Sequence, residues 1–165
     1  MQKEILEVHK LIKFKNIDKA YAEAKKLHKS NNKNQDIVKV LAYLHIQKSN
    51  FDSAISVLND YYKENPEEKD FDYFVNMGIA LKSLEEFENS LAMYDKASKI
   101  NPESPLCYTA PSEIYLKLRK FEKAVQLINV ALEKIEKSTD INFLHFPNAI
   151  KLKTEINVAL EKDEE

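Results

Sequence analysis

Residues 71–104 read FDYFVNMGIALKSLEEFENSLAMYDKASKINPES. Phe74, Met77, Gly78, Leu81 and Leu84 recur there in steps of three and four, the spacing that gathers side chains on one face of a helix. Phe87, Ser90, Tyr94 and Ala97 form a second stripe of the same kind. Pro102 then stops the chain from continuing as helix, because it lacks an amide hydrogen and restricts the residue before it. The stretch predicts two helices packed antiparallel, with Gly78 and Ser90 small enough to let their backbones approach.

The same pattern recurs outward. Ile17-Asp18-Lys19-Ala20, Phe51-Asp52-Ser53-Ala54, Phe87-Glu88-Asn89-Ser90 and Phe121-Glu122-Lys123-Ala124 align at intervals of 34, 36 and 34 residues. Lys69 and Asp70 can absorb the longer middle interval in a loop. Ahead of the second segment lie Val38, Leu41, Ala42 and His45; ahead of the fourth lie Tyr108, Ser112, Tyr115 and Leu118. One such unit cannot bury its apolar faces alone, so a core must come from stacking neighbours. Beyond the repeats, Ala149, Leu152, Ile156 and Ala159 mark one more amphipathic helix over about 147–162, with Pro147 suited to its first turn and a charged end, Glu161 to Glu165, expected to fray.

Composition narrows the function. The 165 residues contain one glycine, Gly78, so phosphate-cradling loops, dinucleotide turns and nucleophile elbows, which need clustered glycines, are excluded. Tight hairpins are disfavoured for the same reason, which leaves an all-α chain. The single cysteine, Cys107, can form no disulfide within the chain and has no evident base beside it. His9, His28, His45 and His145 show no metal-ligand spacing, and His45 reads as a core histidine. No catalytic residue, metal site or cofactor is expected. The net charge of -2 draws no nucleic acid, and the excess of lysine over residues 1–34 reads as a solvated face. The start, Met1 to Val8, is too charged for a signal peptide, and no apolar run approaches the ~18 residues of a membrane span. A cytoplasmic protein without membrane insertion is the expectation.

These columns resemble the tetratricopeptide repeat family, whose period is 34 residues. The match is fullest over 71–104, through Phe74, Met77, Gly78, Phe87, Ser90, Tyr94, Ala97 and Pro102. Residues 105–138 follow through Tyr108, Tyr115, Phe121, Ala124 and Ala131, and 35–68 through Ala42, Phe51, Ala54 and Pro66. Residues 1–34 keep Leu11, Ile17 and Ala20 but place Glu4 and Glu7 in columns that are usually apolar. The resemblance implies a right-handed α-solenoid of four helix pairs plus the C-terminal capping helix, forming one domain over 1–165.

It also implies where a partner sits. The family's first helices line a concave face, with positions 2, 5, 9 and 12 of each unit pointing inward and 13 beside them. Here these positions supply Ile5, His9 and Ile12; Lys39, Tyr43 and Ile46; Val75, Ile79 and Lys82; and Leu106, Thr109, Glu113, Leu116 and Lys117. So apolar a lining suits an amphipathic helix or extended apolar peptide of a protein partner; the alternative is that some of these residues pack on the tail helix. The family's two-carboxylate clamp is not reproduced. Lys39 and Asn76 match it, but Tyr43, Leu106 and Ala110 stand where Asn, Lys and Arg belong, and Ile5, His9 and Val40 fail in the preceding register.

Phe74 to Ile135 is also similar to type III secretion translocator chaperones, including Pro105, Ala110 and Glu113. It departs from them in having a fourth repeat and a pI near 6.1. The rival readings are the accessory arm of a longer enzyme such as a transferase, and a homodimer in which the groove takes another copy's tail. Pro111 is the irregular residue. It falls inside a first helix and predicts a late start near Ala110 or a kink, at a cost of ~3 kcal/mol.

Overall fold

The computed structural model describes residues 2–137 and 145–164, without the side chains of 145–147 and 164. Among these residues there are nine α-helices and no strand. Two helices fall within each repeat. They are α1 Gln2–Lys13 and α2 Ile17–Ser30, α3 Gln35–Gln47 and α4 Phe51–Glu64, α5 Phe71–Ser83 and α6 Phe87–Ile100, and α7 Leu106–Lys117 and α8 Phe121–Lys137. The last, α9 His145–Glu164, is longer at both ends than the sequence predicts. Its charged end is helical to Glu164 rather than frayed, and Asp163 pairs with Arg119. The chain forms two compact units, Met1–Glu86 and Phe87–Glu165, with the boundary in the turn after α5.

A backbone device marks every repeat. Lys15, Ser49, Glu85 and Arg119 adopt left-handed conformations, with φ of 58°, 58°, 62° and 56°. These residues end the first helices in the Schellman manner. Lys15 N–H donates to Ile12 O at 2.9 Å and Asn16 N–H to Leu11 O at 2.8 Å. Ser49 and Asn50 do the same toward Ile46 and His45, Glu85 and Glu86 toward Lys82 and Leu81, and Arg119 and Lys120 toward Leu116 and Tyr115. Two orphan carbonyls are thereby satisfied at each helix end, and the chain reverses into Ile17, Phe51, Phe87 or Phe121, the first residue of the next helix. None of the four is glycine, so each turn carries the steric cost of a Cβ in the left-handed region.

In unit 1, α1 to α5 pack in sequence, and α3 also meets α5. Ala20, Ala42 and Ala54 are fully buried, as their small size requires at a close helix crossing. The two extra residues of the middle interval are taken up by a 3₁₀ turn, Pro66–Glu68, and by Asp70, which caps α5 by accepting from Tyr73 N–H at 3.0 Å. The turn is tied back by Gln35, whose amide donates to Glu68 O at 2.8 Å, and by the Tyr61 hydroxyl, which donates to the Glu68 carboxylate at 2.6 Å.

In unit 2, α6 packs on α7, α7 on α8, and α9 on both α7 and α8. Ser112 is buried and its hydroxyl donates to Ala124 O at 2.8 Å, so the serine that replaces a smaller residue spends its polar group across the α7–α8 crossing. Ala124, Ile128, Ala131, Ala149, Leu152 and Ile156 form a core cluster between α8 and α9. The helix α7 runs through Pro111 without starting late, which corrects that alternative. Pro111 is buried, and the Cys107 carbonyl has no amide hydrogen to receive from it.

Candidate functional site

The first helices of unit 1 together form a groove of about 430 Å³. α1 supplies His9 and Ile12; α3 supplies Asp36, Lys39, Val40 and Tyr43; α5 supplies Asp72 and Asn76. Tyr43 is 36% exposed, an aromatic surface at the groove. α3 is positioned by its cap, Asn34, which accepts from Ile37 N–H at 3.1 Å, and α5 by Asp70. Lys39 ties the two helices together. Its ammonium donates to Asp70 at 2.7 Å and lies 3.3 Å from Asp72. Burial pulls the Lys39 pKa down, but the two carboxylates outweigh it and hold the value above that of a free lysine.

Of the expected lining residues in this unit, His9, Ile12, Lys39 and Tyr43 meet in the groove. Ile5, Ile46 and Val75 are instead buried, with 7%, 9% and 8% exposure. Ile46 belongs to a core cluster with Ala54 and Ala80, and Ile79 packs against that cluster. Lys82 is half-buried and does not line the groove. Ile46 becomes core because Ala80 of α5, in the following repeat, covers it.

Asp36 and Asp72 line the groove without being among the expected residues. Both stand at position 2 of their repeats, so the signal was available in the same inward register. Val40 and Asn76 stand at position 6, one residue beyond an inward position; the sequence weighs both only for the carboxylate clamp, and the structure places both in the groove lining.

The equivalent face of unit 2 is different. Glu113, Leu116 and Lys117 of α7 share a cleft of about 320 Å³ with Asn148, Lys151, Leu152 and Glu155 of α9. Leu116 also packs against the α8–α9 cluster. Leu106 and Thr109 are half-buried at the start of α7, where the Thr109 hydroxyl donates to Pro105 O at 3.3 Å. The tail helix thus occupies part of the surface that the resemblance offers to a partner.

The remaining reactive groups are held quiet by their surroundings. His45 is half-buried and meets Tyr21 edge to face at 5.1 Å. Burial first, and then Lys25 and His28, lower its pKa, so the neutral ring is favoured. Burial pushes the Cys107 thiol up to about 11, which favours the protonated form. Among the described residues no three His, Cys, Asp or Glu side chains are placed to hold a metal ion, and no helix is long and apolar enough to cross a membrane.

Known proteins share this architecture. The family described as "Tetratricopeptide repeat" matches residues 71–104. Tetratricopeptide repeat protein 21A of Mus musculus is 29% identical over 100 residues, which are 61% of this chain but only 7% of that protein. A thermophilic tetratricopeptide-repeat protein of Thermus thermophilus has a TM-score of 0.71 at 18% identity, over 95% of this chain and 79% of its own. SycD, the type III secretion translocator chaperone of Yersinia enterocolitica, has a TM-score of 0.64 at 15% identity, over 78% of this chain and 84% of its own. Residues 71–104 match the tetratricopeptide repeat, and the chain around them has the all-helical fold of the tetratricopeptide-repeat proteins.

Proposed function

We propose that this protein is a non-catalytic interaction module that holds a segment of another protein in the first-helix groove of unit 1. The observation that carries the reading is the convergence of Ile12, Val40 and Tyr43 from α1 and α3 with the buried Asn76 and the exposed polar rim of Asp36 and Asp72. An apolar floor with a few placed polar groups is how helical grooves take amphipathic or extended peptides. The clamp for a terminal carboxylate is a poor alternative, because Lys39 is already paired with Asp70 and Asp72.

The test is selection of binding peptides on the immobilised full chain, repeated with Tyr43→Ala and Ile12→Asp. Selected peptides should lose binding to both variants while circular dichroism shows the helices intact. Peptides that bind both variants as tightly as the parent place the site elsewhere and end this reading.

A narrower reading makes the partner a secreted translocator. The fold shared with SycD and the similarity of Phe74 to Ile135 to its class favour it. Co-expression with a secreted protein encoded beside this one should then yield a stable complex, and a failure to stabilise it removes the narrower reading alone.

A further inference from the structure

We infer that the segment held by the unit 1 groove is cationic, with a lysine or arginine seated against Asp36 and Asp72 beside its apolar anchors. The inference rests on the groove reading above and adds the partner's charge. Among the described residues lining the groove, two are carboxylates, Asp36 and Asp72, and one is an ammonium, Lys39. That ammonium is committed. It is 19% exposed and bridges Asp70 at 2.7 Å and Asp72 at 3.3 Å, while Asp70 is itself fixed as the cap of α5. Lys39 is thus matched by Asp70 and Asp72, and Asp36 adds a further carboxylate to the groove lining, so the excess there is negative. Asp36 is exposed, and the Asp72 side chain is 60% exposed despite its contact with Lys39. An incoming carboxylate would have to displace Asp70 or Asp72 to reach Lys39. An incoming ammonium or guanidinium meets Asp36 and the open side of Asp72 without breaking anything. Ile12, Val40 and Tyr43 lie in the same groove, so the complementary segment pairs apolar side chains with a basic one.

Three fluorescein-labelled peptides of about 15 residues test this, long enough as helices (~22 Å) to cross first helices packed 8–10 Å apart. All three share a leucine face. Their polar faces are lysine, glutamine or glutamate. Measured by anisotropy on the full chain at low salt, the lysine peptide should bind about fivefold more tightly than the glutamine peptide, and the glutamate peptide more weakly still. Asp36→Asn should remove most of the lysine preference, and Asp36→Lys should invert it. Both changes are at an exposed residue outside the core. Rising salt should narrow the gap between peptides. Equal binding of the lysine and glutamine peptides, lost in Tyr43→Ala, overturns the charge inference and leaves the groove reading standing. Binding that Tyr43→Ala does not weaken, or binding of none of the three, overturns both. A preference that survives Asp36→Lys assigns it to charges elsewhere and overturns the inference.

Discussion

The first-helix faces of the two units start from the same repeat and end differently. In unit 1, α3 packs beside α5, and with α1 they leave a groove walled by Ile12, Tyr43, Asp36 and Asp72. In unit 2, α7 has α9 against it, and Leu116 is drawn toward the cluster of Ile128, Leu152 and Ile156. A position in a repeat is therefore neither surface nor core by itself. It becomes one or the other according to which helix the following segment supplies and how closely that helix packs.

The largest test of this contrast is Ile156→Ala. Ile156 is fully buried in the cluster that seats α9. Its truncation should cost ~2–5 kcal/mol in chemical denaturation, with hydrogen exchange accelerating in α8 and α9. A cost under about 0.5 kcal/mol would make α9 a loose appendage and the two faces alike.

Pro111 sharpens the comparison next, since no first helix of unit 1 contains a proline. Pro111→Ala restores a donor for the Cys107 carbonyl but gives up some buried volume. A net gain of ~1–2 kcal/mol is expected in the denaturation midpoint. A loss instead would show that the ring's packing outweighs the missing bond.

The left-handed turns offer a finer contrast. Ser49→Gly in unit 1 should raise stability by ~0.5–1 kcal/mol, because glycine adopts positive φ without a Cβ clash. Arg119→Gly in unit 2 should gain less, since Arg119 also pairs with Asp163 and lies 5.5 Å from the Phe121 ring. Equal gains would mean that those contacts contribute nothing.

The smallest effect is in pH. His28 and His45, both in unit 1, have pKa values lowered first by burial. The folded state then binds fewer protons than the unfolded chain, so their contribution is present above the ordinary histidine pKa of 6.5 and is lost as pH falls below it. Melting curves at pH 7.5 and 5.5 should show a drop that His45→Phe reduces. An unchanged slope in that variant would assign the acid sensitivity to other groups.

Much of the fold was legible because its signals are local. The intervals between Ile17, Phe51, Phe87 and Phe121 locate the start of every second helix, and each of those residues is the first of its helix. Ala20, Ala42, Ala54, Ser112 and Ala124 declare close crossings because nothing larger fits. The left-handed turns were not legible, since Lys15, Ser49, Glu85 and Arg119 carry none of the glycine that would advertise them. Half of the groove was legible as well: His9, Ile12, Lys39 and Tyr43 follow from register, but Ile46 and Val75 share that register and are buried.

By itself, the order of residues determined the number and spacing of the helices, because apolar periodicity and small-residue columns act within one helix and its immediate partner. The tertiary structure alone decided which inward positions stay open and that Lys39 is claimed by Asp70 and Asp72. Those outcomes depend on side chains ~30 residues apart meeting across packed helices, and a periodicity read along one chain does not carry that distance.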